Sequence, residues 1–402
     1  MKVTRREFIG GLAATGALAK AGFGAEPPAK IDRYALVSRH NPVIRKLDRL
    51  SPLSVGNGEF AFTCDITGLQ TFPEEYTNGM PLCTMSQWGW HTKPMPDYLK
   101  GKDLKLTDYD TYGRKVGYMT TKTGQEELFD WLRENPHRLH LGQIGFRLTR
   151  TDGTEAVAKD ISLIEQKLDL WTGTIHSRFL FENKEVSVAT AVHPRMDILA
   201  VKVDSVLLSK KDKLSIRFSF PYGSSTMQAA DWKAIDKHQT RRTSAKNQAD
   251  QVTYFQRTLD SDNYFVQIRW SGAAIGLVNE GQHRHSLFSA HGTTMDFTIG
   301  FNKTFTEKPI PKASESFRAT TAHWQNFWAT GAAVDFTGSN DKRASELERR
   351  VILSQYVTAI QCSGSRPPQE TGLRRIVGTA NIISRCTGGT RLSLPCGTVS
   401  RC

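Results

Sequence analysis

From Phe179 to Phe301 the chain is a succession of short apolar–polar alternations separated by turn residues. Alternation with a period of two places apolar side chains on one face of an extended strand and cannot form a stripe on a helix. Phe179-Leu180-Phe181 and Glu185 to Val192 flank Asn183-Lys184, which predicts a hairpin. Further strand-like runs follow at Ile198 to Val203, Leu214 to Phe220, Tyr264 to Trp270 and Met295 to Phe301. Ser215-Ile216-Arg217-Phe218-Ser219-Phe220 shows the alternation most clearly. Many short strands with turns between them predict a mainly β fold with a large antiparallel β-sandwich.

The pattern changes near residue 313. Ser314 to Trp328 reads as a helix whose Phe317, Trp324, Phe327 and Trp328 form an apolar stripe, a stripe better explained as core than as a ligand platform. Asp341 to Cys362 reads as a second helix. Its Leu353, Tyr356, Val357 and Ile360 fall on one face, and Ser339 or Asn340 is placed to cap its start. One earlier segment, Glu126 to Arg133, is also helical in character.

The N-terminus has a separate purpose. Thr4-Arg5-Arg6-Glu7-Phe8-Ile9 precedes a soft apolar run from Gly10 to Ala19, and small residues follow near Gly24 and Ala25. A charged start, a short apolar core and small residues at a cut site make a cleavable targeting peptide, and the paired arginines assign it to the twin-arginine export route. The run is shorter than the ~20 residues of a membrane span, so no stable membrane anchor is expected. The implied location is periplasmic or secreted, with the twin-arginine translocase as a partner during export.

Cofactor and nucleic-acid classes find little support. The sequence has no Gly-rich phosphate loop after a strand, no Cys-x-x-Cys and no His-Glu-x-x-His, so neither cofactor nor metal is implied. Cys64, Cys83, Cys362, Cys386, Cys396 and Cys402 are too widely spaced for a metal knuckle or a dense disulfide scaffold. The net charge of +13 is uneven: +3 falls in residues 1–25 and +5 in residues 373–402, leaving +5 scattered over the body. A scattered charge of that size reads as solvated surface and not as a phosphate-binding stripe.

With the elements in place, the run Ser51-Pro52-Leu53-Ser54-Val55-Gly56-Asn57-Gly58-Glu59-Phe60-Ala61-Phe62 resembles the opening strand of six-hairpin glycosidases, the group related to glycoside hydrolase family 65. The resemblance extends over roughly residues 30 to 373, and the order of elements carries it more than any one motif. It implies a β-sandwich over residues 26–312, a helical linker over 313–340 and the first helix of an (α/α)6 barrel over 341–372. It further implies inverting hydrolase or phosphorylase chemistry, with the catalytic groups inside that barrel.

Candidate sugar contacts follow. In Gln87-Trp88-Gly89-Trp90-His91-Thr92 two indoles flank a glycine and a histidine follows, and sugars stack their apolar faces on indoles while their edges take hydrogen bonds. Trp88, Trp90 and His91 are therefore candidate substrate-binding residues, with burial in the core as the competing role. Gly56-Asn57-Gly58 is a tight turn needing positive φ, either a plain β-turn or a substrate loop. Glu370, in Gln369-Glu370-Thr371-Gly372-Leu373, is the acid in the barrel-like segment; it is placed to line a sugar pocket or to serve a surface role. No pair of carboxylates in residues 26–372 stands out as acid and base.

Residues 373–402 differ from all that precedes them: they contain no Asp, Glu, Lys, Phe, Tyr or Trp, yet hold five Arg and three of the six Cys. Permitted codons read one base out of register from the Arg375 codon yield Asn-Ser-Trp-Tyr-Gly-Lys-Tyr-His-Leu-Glu-Met-His-Trp-Trp-His-Thr. That string resembles the barrel continuation of a six-hairpin glycosidase, so a frameshift near Leu373 to Arg375 is expected, with a genuine tail as the alternative. The sequence thus points to the N-terminal portion of an exported carbohydrate-active enzyme, catalytically incomplete in this chain, acting on oligo- or polysaccharide. A non-catalytic carbohydrate-binding sandwich and a periplasmic scaffold protein are the competing readings.

Overall fold

The computed structural model describes residues 31–366, except 211, 244–250, 273 and 290, together with residues 372 and 373. The expectations for Arg5 and Arg6, for Glu370 and for the tail lie outside these residues.

The described chain begins with a short helix α1 (Arg33–Ser38) and strand β1 (Val43–Ile44). Strands β2 (Leu53–Gly56), β3 (Phe60–Cys64) and β4 (Thr84–Ser86) form a small antiparallel sheet. A second layer of short elements follows: β5 (Trp90–His91), an exposed hairpin of β6 (Thr107–Thr111) and β7 (Arg114–Tyr118), helix α2 (Glu126–Glu134) and β8 (His137–Arg138), which pairs with β5.

The sandwich proper starts at β9 (Gln143–Leu148). It continues through β10 (Ile161–Asp169), β11 (Thr174–Phe181), β12 (Lys184–Val192), β13 (Ile198–Asp204), β14 (Leu214–Ser219) and β15 (His238–Thr243). It ends with β16 (Val252–Leu259), β17 (Asp262–Gly272), β18 (Ala274–Gly281), β19 (Arg284–Ser289) and β20 (Thr294–Asn302). One antiparallel sheet runs β1-β10-β11-β12-β13-β20-β17-β16-β15, and a smaller one runs β18-β19-β14-β9. Phe218 on β14 meets Phe297 on β20 edge to face at 5.7 Å, and Phe146 on β9 meets Phe179 on β11 at 6.0 Å, so the two sheets share one core. Each of these buried rings contributes roughly 2–3 kcal/mol.

The hairpin expected around residue 183 is present. Glu182 and Asn183 form its turn at φ +47° and +59°, the left-handed pair that a two-residue loop needs to match strand twist. The four later strand-like runs lie in β13, β14, β17 and β20, except that Phe220 falls just beyond the end of β14. The fold is mainly β, with antiparallel sheets in a sandwich, followed by helices.

Helix α3 (Ala313–Thr330) buries Trp324 and Trp328 while Phe317 and Phe327 are only half-buried. Trp328 Nε1 donates to the Leu170 carbonyl at 2.7 Å, tying the helix to the end of β10. Helix α4 (Ala344–Cys362) differs from expectation in two ways. It starts at Ala344, with Arg343 and not Ser339 or Asn340 in the capping position and no side-chain cap, because Asp341 binds the Arg343 backbone and guanidinium instead. Its buried face is also rotated: Glu348, Ile352, Tyr356 and Ile360 point inward at a spacing of four, Leu353 is half-buried and Val357 is 44% exposed. The rotation follows from docking on β2, where the Tyr356 hydroxyl donates to the Ser54 carbonyl at 3.1 Å and Ile360 packs over Gly56.

Candidate functional site

The Trp88 segment leaves the end of β4 and turns sharply. Gln87 N–H donates to the Glu59 carbonyl at 2.7 Å and Gly89 N–H to the Ser86 carbonyl at 3.0 Å. This turn separates the candidate residues. Trp88 goes to a groove, while Trp90 and His91 enter packed surroundings.

Trp90 is half-buried, with the Arg138 guanidinium 4.3 Å over its ring and its own Nε1 donating to the Gln87 carbonyl at 3.0 Å. Arg138 is itself fixed by the Ser86 and Gln87 carbonyls, and burial pulls it down to about 10. The stacked ring face is therefore already occupied by a cation. His91 is buried, its Nδ1 2.9 Å from Asp262 and its ring edge-on to both His137 and Tyr222 at 5.2 Å. Its Nε2 lies 3.2 Å from Asp260, whose carboxylate accepts the Tyr222 hydroxyl at 2.6 Å, but is not aligned for a hydrogen bond. Burial works to raise Asp262, yet the hydrogen bonds and charge of His91, with Thr92 N–H and Lys303, hold it below the ordinary range. This cluster pins β5 and β8 to the turn between β16 and β17, which is a structural task.

Trp88 has different surroundings. Its Nε1 donates to Asp197 Oδ2 at 2.7 Å, and the Ser86 hydroxyl donates to the same oxygen at 2.5 Å. Asp197 Oδ1 accepts no hydrogen bond among the described residues, and Asp197 and Trp88 both line an open groove of about 610 Å³. Burial pushes the Asp197 carboxyl up, the bonds from Ser86 and Trp88 pull it back, and the neighbouring Glu59 charge adds to the rise; the net shift is upward.

The groove walls are well held. On one side the β12–β13 connection carries Arg195 and Asp197. It is pinned by Asn57, whose Nδ2 donates to the His193 carbonyl at 2.9 Å and the Met196 carbonyl at 3.0 Å. On the other side the segment after β20 carries Lys303 and Lys308, and Arg269 reaches it through the Ile310 carbonyl at 2.7 Å. Glu315 also lines the groove, but its Oε2 accepts the Lys312 N–H at the start of α3. An indole, a desolvated carboxylate and several cations suit a polar ligand with apolar ring faces.

The turn Gly56-Asn57-Gly58 is a supporting device. Asn57 Oδ1 accepts from Glu59 N–H and Phe60 N–H, and Gly58 at φ +91° leaves no room for a side chain beside Ser363. Neither Asp197 nor Arg195 was marked by sequence, since a strand-to-strand connection bearing Arg-Met-Asp has no distinctive spacing. A second cavity of about 590 Å³ lies at the start of α4, where Glu346 pairs with Arg349 and Arg350, and Asp341 with Arg343. Its charges satisfy one another.

Among the described residues no group of three or more His, Cys, Asp or Glu is arranged to hold a metal ion. Cys64 and Cys83 are buried and Cys362 is half-buried. No described helix is long and apolar enough to cross a membrane.

Neither a protein-family model nor a curated protein matches the sequence. Among solved structures the chain is similar to a putative kojibiose phosphorylase from the human microbiome, at 9% identity and a TM-score of 0.39. The match covers 79% of this chain and 38% of that one, so this chain spans well under half the length of the protein it is similar to.

Proposed function

We propose that the chain is the N-terminal portion of an exported carbohydrate-active enzyme and that its sandwich groove binds saccharide. The observation that carries this reading is the Trp88–Asp197 pair. An indole sits beside a half-buried carboxylate whose Oδ1 is left for the groove, the combination that takes both the apolar face and a hydroxyl of a sugar ring. The order of sandwich, helix α3 and helix α4 supports the assignment of residues 26–312, 313–340 and 341–372 to sandwich, linker and first barrel helix. The twin-arginine motif at Arg5 and Arg6 supports export by the translocase to the periplasm or beyond.

Hydrolysis of a glycosidic bond needs two opposed carboxyl groups. Asp197 faces the groove and Glu315 is engaged at the start of α3. The groove is therefore assigned to binding, and a non-catalytic carbohydrate-binding protein is the second reading that the same observation favours. An oligosaccharide array probed with the full chain and with Trp88→Ala tests the assignment. Binding lost in the variant supports it, and no binding by the unaltered chain overturns it. Hydrolysis or phosphorolysis of a bound oligosaccharide by the chain would overturn the division between binding groove and catalytic barrel.

A further inference from the structure

Some cations around the sandwich are neutralised close by. Arg45 pairs with Glu165, Arg49 with Glu75, Arg178 with Glu185, Lys213 with Glu182, and Arg217 with both Glu155 and Glu280. The groove beside Trp88 gathers several cations around one space. Arg195 on one wall and Lys308 on the other make no ion pair among the described residues, and Lys303 contributes a third positive charge on the same rim. Arg269 is fixed from below by the Ile310 carbonyl, so its guanidinium sits at a set place in the wall. Two acids line the groove: Asp197 is engaged by Ser86 and Trp88, and Glu315 by the first turn of α3. Cations held on opposite walls of a groove, with low-dielectric protein between them, concentrate a positive field on whatever lies there.

We propose that this groove selects anionic saccharides: sugar rings stacked at Trp88 whose carboxylate or sulfate groups are taken by Arg195, Lys308 and Lys303. The inference rests on the saccharide reading of the same groove and adds the charge of the ligand. A neutral sugar would leave these cations facing water and gain only from Trp88 and Asp197. An anionic one adds charge-assisted hydrogen bonds on both walls, and arginine suits a planar carboxylate through its two-pronged donor set.

The test measures binding of the full chain to tetragalacturonate, to its methyl ester and to a sulfated galactan tetrasaccharide at two salt concentrations. Tetragalacturonate or the sulfated sugar, or both, should bind about tenfold or more tighter than the ester, with the difference shrinking as salt rises. The two anionic arms separate carboxylate from sulfate as the group recognised. Arg195→Ala/Lys308→Ala, both exposed positions, should remove the preference. Arg114→Ala/Lys115→Ala, which removes the same charge from the exposed β6–β7 hairpin, should leave it intact. Equal or tighter binding of the ester, or a preference that survives the groove variant or falls equally in the hairpin variant, overturns the inference and leaves the saccharide reading standing. Absence of binding to all three sugars overturns the inference, and absence of binding across the oligosaccharide array overturns the saccharide reading as well.

Discussion

His40 and Glu348, 308 positions apart, meet in a buried contact of 2.5 Å between Nε2 and Oε1. Glu348 also takes Arg39 at 2.8 Å and the Phe336 N–H, so one carboxylate joins the residues after α1, the linker segment and α4. Removing it leaves buried donors without an acceptor. Glu348→Ala should cost about 3 kcal/mol, seen as a lower urea midpoint with an unchanged slope, whereas Glu348→Gln, which still accepts from Phe336, should cost less. Equal losses in the two variants would argue against this account.

Gly173 lies flat under the Trp324 indole. A Cβ there would fall 2.0 Å from Trp324 Cδ1, and the residue sits at φ +67°. Gly173→Ala should therefore destabilise by roughly 3 kcal/mol. Trp324→Ala alone should cost about 3–5 kcal/mol by leaving a cavity. The double variant should lose clearly less than the sum, because the first substitution then occupies space the indole has vacated. Strict additivity in thermal or urea unfolding would remove Gly173 from that contact.

Trp88→Phe separates the two contributions of the indole. A ring is kept for packing, 6.2 Å from Tyr264, but the hydrogen bond to Asp197 is lost. The Asp197 carboxyl, already raised by burial, should then titrate higher still, and NMR titration of the carboxyl carbon should show it. Saccharide affinity should fall less than in Trp88→Ala. An Asp197 titration that does not move in Trp88→Phe would mean that the indole N–H does not hold the carboxylate.

Acid should destabilise the protein before its carboxylates are titrated. Burial holds His137, His140 and His285 down to about 4 and His238 to about 3. Unfolded histidine takes a proton near pH 6.5. Between that value and about 4 the unfolded chain thus binds more protons, and stability falls with pH. Asp65 acts in the opposite sense, since burial raises it to about 6 and the native state holds its proton first. Burial also lowers His176, His193, His283 and His323 and raises Glu74, Asp197 and Asp296; eight histidines against four acids give a net loss, so urea midpoints should drop steadily from pH 6.5 to 4.5. His285→Phe keeps an aromatic ring beside Phe255, 4.4 Å away, and should make that decline shallower. An unchanged or steeper decline would speak against neutral His285 in the core.

The elements were more legible than the site. The alternation at Leu214 to Phe220 and the turn at Asn183 placed strands correctly, because period and turn chemistry are local. The α4 face was misassigned by the inclusion of Val357, since the side a helix buries depends on what it docks against, here β2 and the Arg39–His40 pair. Trp88, Trp90 and His91 are adjacent in sequence, yet one reaches the groove and two are packed away. A sharp turn at Gly89 and a guanidinium from Arg138, 48 positions beyond Trp90, decide that, and neither is visible in the motif. Asp197 became a candidate only when folding brought it against Ser86 and Trp88, more than a hundred positions earlier.

The short turn from Gly56 to Glu59 is bonded in two directions. Through Asn57 it holds the backbone that carries Arg195 and Asp197. Through Gly58 N–H to the Ile360 carbonyl, and Glu59 to the Ser365 N–H, it holds the end of α4. Gln87, beside Trp88, grips the same exit by donating to the Ser365 hydroxyl at 2.9 Å. The groove wall and the helix terminus consequently have no independent freedom: a shift of one by an ångström must snap hydrogen bonds or drag the other along. A displacement of the end of α4 is therefore passed to the groove wall through these hydrogen bonds.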